Sequence, residues 1–226
     1  MSSHYESVRS AALYPEAFGV PAPTALPGRD IWPRRPAVFV RQAQEPNREH
    51  DQDGQASGAR ELVAAQFGLT PSWAKSVSDA RLRSSKLVNA RASGVEGSKH
   101  FDAAWKTSRR CIVPMSAFFV DDWRSGKAVP TRIARVDGRP MGVAGLWESC
   151  TGPDGACVTG FALLTVDASG HGLMHRYAQP GADRRMPVIL NEGAYDAWLS
   201  APLAKAREFM RAYPANWLTA NPVEQG

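Results

Sequence analysis

The chain carries only three cysteines, Cys111, Cys150 and Cys157, and no two of them form a C-x-x-C pair. An odd count without repeated spacing argues against a disulfide framework and against a zinc site, so no metal is expected. Long apolar runs are missing as well. No stretch approaches membrane-spanning length, and the opening Met-Ser-Ser-His-Tyr lacks the apolar core of a signal peptide. A soluble, cytoplasmic protein without a membrane partner is the expectation. There is no P-loop, no G-x-S-x-G elbow, no H-E-x-x-H and no internal repeat, and no cofactor is implied. Acidic residues are the scarcer charge, with 22 Asp plus Glu against 27 Lys plus Arg and a pI near 9.3. The excess is modest. Much of it is arginine, which suits planar and phosphate partners, so nucleic acid is favoured, although such a balance also describes an ordinary solvated surface.

What is present is globular composition, 43% hydrophobic and 22% charged over 226 residues, enough for one full-sized domain or two small ones. Residues 19–36 are dense in Pro and Gly and read as an extended surface segment. Residues 44–60 are polar, without periodicity, and read as a mobile loop. Nothing marks a boundary between two cores, so residues 1–226 are taken as one domain. Short apolar runs predict strands over Glu61–Gly68, Cys111–Val113, Ser116–Val120, Val129–Val136, Met141–Trp147, Phe161–Val166 and Met186–Leu190. Asp137-Gly138 between two of these runs is a hairpin signal. Amphipathic patterns place helices over His100–Ser108, Glu192–Leu199 and Pro202–Tyr213. Strands with segregated helices predict an α+β fold, a mostly antiparallel, barrel-like sheet with peripheral helices.

Separate segments jointly carry a family likeness. Phe67-Gly68-Leu69-Thr70-Pro71-Ser72-Trp73 is similar to W-G-L-x-P-x-W, and Asn89-Ala90-Arg91 matches N-A-R. Cys111-Ile112-Val113-Pro114 followed by Ala117-Phe118-Phe119 is similar to C-x-x-P-x-x-G-F-Y. Ala144-Gly145-Leu146-Trp147-Glu148 matches A-G-L-W-E, and Arg185-Met186-Pro187-Val188-Ile189-Leu190 matches R-M-P-V-I-L. In this order, over roughly residues 1–200, they resemble the SOS-response-associated peptidase family. That resemblance implies a protein that shields abasic sites in single-stranded DNA. Its chemistry would use a cysteine at position 2, exposed by removal of Met1, whose amine and thiol close a thiazolidine on the sugar aldehyde. It would also use the N-A-R asparagine, a glutamate after G-F-Y and a histidine before R-M-P. Autoproteolytic removal of the first residue gives the family its name.

The chain departs from that pattern at three of the four chemical positions. Position 2 is Ser2, the glutamate position is Val120, and the histidine position falls at Ala178. Asn89 is retained. A free Ser2 amine would attack an aldehyde as a Schiff-base former, but a hydroxyl closes a far less durable ring than a thiol. Asp121 and Asp122 adjoin Val120, though strand alternation turns Asp121 to the opposite face. His175 is the histidine candidate if the local alignment slips by three residues. The catalytic candidates are therefore Ser2, Asn89 and His175. By resemblance, Trp73 stacks on a base, and Arg91 and Arg185 clamp phosphates. Each has a plainer reading: Asn89 as a turn residue, Trp73 as core packing, the arginines as surface cover. His4 is placed to flank the site, and His171 reads as loop. Trp123 and Trp147 are expected to be structural, and Glu148 to end a buried strand beside an arginine. Three functions follow as alternatives: a weakened abasic-site crosslinker using Ser2, a DNA-binding module that has lost its chemistry, and an unrelated role on the same fold. Single-stranded or abasic-site DNA is the expected partner, and a monomer the expected state.

Overall fold

The computed structural model describes residues 3–43 and 59–223. In chain order its strands are β1 (Tyr5–Glu6), β2 (Asp30–Ile31), β3 (Pro36–Gln42), β4 (Arg60–Phe67), β5 (Asn89–Arg91), β6 (Arg110–Met115) and β7 (Ala117–Asp122). They continue as β8 (Val129–Arg135), β9 (Met141–Thr151), β10 (Cys157–Asp167), β11 (Arg185–Pro187), β12 (Ile189–Leu190) and β13 (Leu218–Pro222). The α-helices are short: α1 (Leu13–Phe18), α2 (Val77–Ser84), α3 (Asp102–Lys106), α4 (Tyr195–Ser200) and α5 (Leu203–Ala206).

Five strands close on themselves. β10 pairs with β4, β4 with β3, β3 with β6, β6 with β9, and β9 returns to β10. Only the β4–β10 junction of this barrel is parallel. A second sheet, wholly antiparallel, runs β13-β8-β7-β1-β2. The expected α+β class, barrel-like sheet and peripheral helices are all present in one domain.

Side-chain alternation explains how the layers stack. Val38, Val40, Ile112, Ala144, Leu146, Ala162 and Leu164 share a core with Tyr14 and Phe18 of α1, Trp105 of α3 and Trp198 of α4. The intervening residues Phe39, Cys111, Val113, Val143, Phe161 and Leu163 share the other core with Tyr5, Phe118 and Ile133 of the second sheet. Because both faces of the barrel strands are covered, β6 is buried at every position and carries one charged residue, Arg110, at its start. Phe161 packs 5.8 Å from Phe39 and 5.6 Å from Phe67. Each of these rings is fully buried, contributing about 1.5–3 kcal/mol apiece. Helix α4 is fastened by polar contacts too. Trp198 donates from Nε1 to the Cys111 carbonyl at 2.9 Å, and buried Arg110 donates from Nε to the Trp198 carbonyl at 2.8 Å.

The parallel junction depends on two glycines. Gly68 sits at φ +116°, and a Cβ there would lie 2.3 Å from the Ser84 carbonyl oxygen. A Cβ on Gly160 would lie 2.1 Å from the Gly68 carbonyl oxygen. No side chain fits such an approach.

Several expected elements differ. The Asp137-Gly138 turn forms, with Gly138 at φ 72°, but it joins no hairpin: β8 belongs to the second sheet and β9 to the barrel. Turn residues encode a chain reversal and say nothing of which sheet the next strand enters. The run Met186–Leu190 divides into β11 on β10 and β12 on β9, filling the gap where those two strands diverge. The helix expected over Pro202–Tyr213 shortens to α5 and a 3₁₀ turn at Arg207–Phe209. β3 pairs with β4 along its length although its sequence, opening at Pro36, follows the Pro/Gly-dense segment. Most of the loop expected at 44–60 lies outside the described residues; Arg60 is already in β4.

Candidate functional site

The site is built around the start of the chain. β1 is wedged between β7 and β2, with Tyr5 opposite both Phe118 and Ile31. The Tyr5 ring is buried edge-on against Phe67 at 5.2 Å, and the Phe119 N–H donates to the His4 carbonyl at 3.1 Å. Glu6 secures the strand from the side, accepting from Arg132 at 3.0 Å and from Arg29 at 3.4 Å. Burial works to raise the Glu6 carboxyl, but the two guanidiniums outweigh it and hold the group below the usual carboxylate range.

Ser3 and His4 thereby emerge at a cleft of about 300 Å³. Its walls include Trp32, Val120, Trp123, Tyr177 and Ala178. Val120 and Ala178, the positions at which the family chemistry expects a carboxylate and an imidazole, thus line one cavity with the residues that follow Ser2. Ser2 itself lies outside the described residues. Asp121 also contributes to the lining, against the expectation from strand alternation, because this edge of the sheet opens onto the cleft. Asp122 is turned away into an ion pair with Arg124, which donates to it at 2.9 Å.

Asn89 opens β5, opposite Leu163 of β10, and its neighbour Val88 shares a core with Val120 and Tyr177. Thr165 of β10 faces Arg91 on one edge and Pro187 of β11 on the other, so Arg91 and Arg185 flank the end of one strand. Arg91 pairs with Asp183 at 2.6 Å, and Asp183 lines the cleft. Arg185 donates from Nη2 to the Thr165 carbonyl at 2.6 Å. Burial first, then the charge of Arg91, lowers the Arg185 guanidinium from its ordinary range. The two arginines therefore form a mutually repelling cationic pair, of which Arg91 reaches the cleft through Asp183 while Arg185 lines a neighbouring cavity with Ala92 and Val166.

Two candidates stand elsewhere. His175 lies in the 3₁₀ turn Met174–Arg176, exposed, with Nδ1 2.7 Å from the His171 carbonyl, and it does not line the cleft. Trp73 is 46% exposed, so core packing does not account for it. It lies under the Arg83 guanidinium at 5.0 Å and 6.0 Å from His100, also outside the cleft lining. His171 is a buried cap. Its Nε2 donates to the Tyr213 carbonyl at 2.6 Å, and Nδ1 accepts from the Met174 N–H at 2.9 Å. Glu148 is buried within β9, accepting from Ser72 at 2.6 Å with Arg109 at 3.7 Å. Trp147 is buried under Arg41, whereas Trp123, expected to be structural, lines the cleft.

Sequence reasoning missed Trp32, Phe119 and Asp30 as site residues. Trp32 and Phe119 sandwich the His4 ring at 4.0 and 4.1 Å, nearly parallel to it, and Asp30 Oδ1 lies 2.8 Å from His4 Nε2. Only the pairing of β1 with β2 and β7 brings them together, and no local pattern announces that. Among the described residues there is no group of His, Cys, Asp and Glu suited to a metal, and no helix long and apolar enough to cross a membrane.

Residues 1–226 match the family model for SOS response associated peptidase (SRAP). The chain belongs to this family. Among solved SRAP-like folds, a protein from Bordetella bronchiseptica is 33% identical with a TM-score of 0.85, covering 99% of this chain and 100% of that one. A Bacteroides thetaiotaomicron protein shares the fold at 20% identity, with a TM-score of 0.77 over 98% of this chain and 92% of its own. Two curated SRAP relatives carry functional names. Abasic site processing protein YMR114C of Saccharomyces cerevisiae is 31% identical over 59% of this chain, and abasic site processing protein HMCES of Mus musculus 23% identical over 78%. The alignments span 33% and 56% of those proteins.

Proposed function

We propose that this SRAP protein binds single-stranded DNA at abasic sites, with covalent chemistry reduced to a reversible imine on the Ser2 amine. The observation that carries the reading is that Val120 and Ala178 line the same cleft as Ser3 and His4, with the Arg91–Asp183 pair at its rim. Aldehyde capture needs an amine and proton transfer, and the two wall positions offer only hydrocarbon. With Met1 removed, the Ser2 amine would attack the open-chain aldehyde, and water would leave to give an imine. Such an imine hydrolyses readily, and the Ser2 hydroxyl is a poor trap for it compared with a thiolate.

The test is a denaturing gel of protein incubated with an abasic oligonucleotide. Borohydride should capture a crosslink that heat destroys in its absence. A heat-stable adduct without reductant would refute the reduced-chemistry reading. No adduct under either condition, with tight binding retained, would favour the second reading, a pure binding module. The flanking arginines motivate that alternative, since they need no chemistry to hold phosphates.

A further inference from the structure

We propose that the groove between β4 and β10 is a docking site for an extended acidic peptide, which enters it as an added strand. The two strands pair in parallel only where Gln66 and Phe67 meet Gly160 and Phe161. Towards their N-terminal ends they part. What opens between them is a groove of about 850 Å³, bordered by α2 through Ser78, Arg81 and Leu82. It shares no lining residue with the cleft, so the proposal stands apart from the abasic-site chemistry.

Hydrogen-bond alternation shows what the strands present there. Phe67 donates its N–H to the Arg35 carbonyl at 3.1 Å, and the Ala59 carbonyl accepts from Ala43 at 2.7 Å. Odd-numbered residues of β4 thus face β3, and Leu62 and Ala64 turn their N–H and C=O groups to the groove. On β10 the Phe161 carbonyl accepts from Gly68 at 2.8 Å, and Leu163 donates to Val88 at 2.9 Å. Cys157 therefore turns its backbone towards the same groove. Among the described residues no strand pairs with either of these edges. An open edge of this kind is a template for another extended chain.

The side chains decide which kind of chain. Arg34 and Arg81 line the groove and are exposed, and neither has a salt bridge among the described residues. No described acidic residue lines it. Arg34 reaches it from the left-handed backbone region, at φ 67°, a conformation that a side chain adopts at a cost. Its N–H, donating to the Phe67 carbonyl at 2.7 Å, holds that turn against the end of β4. Pro36, Val158 and Leu82, the last 67% exposed, supply aliphatic surface. The described lining holds no aromatic ring on which a base would stack, which favours a peptide over a nucleic acid. A segment alternating β-branched with acidic residues meets the open edges, the aliphatic surface and the two guanidiniums together.

Cys157 gives the experiment its reporter. It lines the groove and is exposed, whereas Cys111 and Cys150 are buried, so its alkylation by iodoacetamide reads occupancy. The full chain is titrated with a hexapeptide alternating Val with Glu, and mass spectrometry follows the alkylation rate. The peptide should protect Cys157 saturably, and the same peptide with Gln for Glu should bind about fivefold more weakly. Arg81→Ala should cost the acidic peptide about fivefold and the Gln peptide nothing. Ala64→Pro removes an N–H that faces the groove and should weaken both peptides about tenfold. Equal protection by the two peptides, or none by either, would overturn the proposal. Protection by a single-stranded oligonucleotide in place of the peptide would overturn it in favour of a DNA path, and protection that rises with protein concentration alone in favour of a second copy. If Ala64→Pro fails to fold, Arg81→Ala decides, and unchanged affinity for the acidic peptide there counts against the site.

Discussion

Val120 and Ala178 present methyl groups to a cavity that Ser3 and His4 also line. Restoring groups at these points is therefore a direct probe of what they withhold. Ser2→Cys supplies a thiol that can close on the imine carbon, so a heat-stable adduct should appear without reductant. Adding Val120→Glu places a carboxyl at the cleft wall and should speed that product, by up to about 10²-fold where a general acid or base is lacking. Time courses on denaturing gels decide it. Should Ser2→Cys leave the adduct as labile as before, the first residue is not the nucleophile. The glutamate must enter a site where Val120 is only 8% exposed, so its melting temperature should be measured beside its rate.

At the scale of elements, the site hangs on a strand of two residues. β1 has little main-chain pairing of its own, and Glu6 is what ties it to Arg132 and Arg29. The Glu6 carboxyl is depressed in the folded protein, so its contribution is present above the carboxyl's unfolded pKa and is lost as pH falls through the lower folded one. Glu6→Gln should cost about 1.5–3 kcal/mol at neutral pH, and the deficit relative to the native chain should shrink in acid. Urea unfolding at several pH values measures it; a deficit constant with pH would mean the carboxylate charge is irrelevant to the strand. β1 also shows where sequence reading stops. Barrel strand β3, which opens at Pro36 at the end of the Pro/Gly-dense segment, was missed, whereas β4, β6, β9 and β10 were legible because burial on both faces makes them largely apolar runs and because Gly68 and Asp137-Gly138 punctuate them. β1, β2 and β13 were not, since two to five residues give no period, and their existence depends on partners far along the chain. The motif positions Asn89, Arg91, Val120, Ala178 and Arg185 could be read from local matches. Asp30, Trp32 and Phe119 could not, because only the register Tyr5↔Phe118 and Tyr5↔Ile31 puts them around His4.

For the molecule as a whole, a net charge of +5 gives a weak general attraction for DNA, and the question is whether Arg91 and Arg185 add a local one. Single-strand binding should weaken linearly in log salt, with a slope of about −0.7 per phosphate neutralised. Arg91 reaches a phosphate only by leaving Asp183. That pair is more than half exposed on both sides, so it is worth about 0–1 kcal/mol, whereas a phosphate contact gains from counterion release as well. The exchange favours DNA. Arg91→Ala should then reduce the salt slope by about 0.7, and Arg185→Ala should do the same if Nη1 engages the backbone while Nε and Nη2 hold Thr165. Asp183→Asn discriminates further. It frees Arg91 and removes a competing anion, so affinity should rise by up to about fivefold, with the slope unchanged because the number of phosphates held is the same. Fluorescence anisotropy across a salt series reads both quantities. If Asp183→Asn and Arg91→Ala change neither affinity nor slope, the phosphates run over another face, and the cleft rim is not the DNA path.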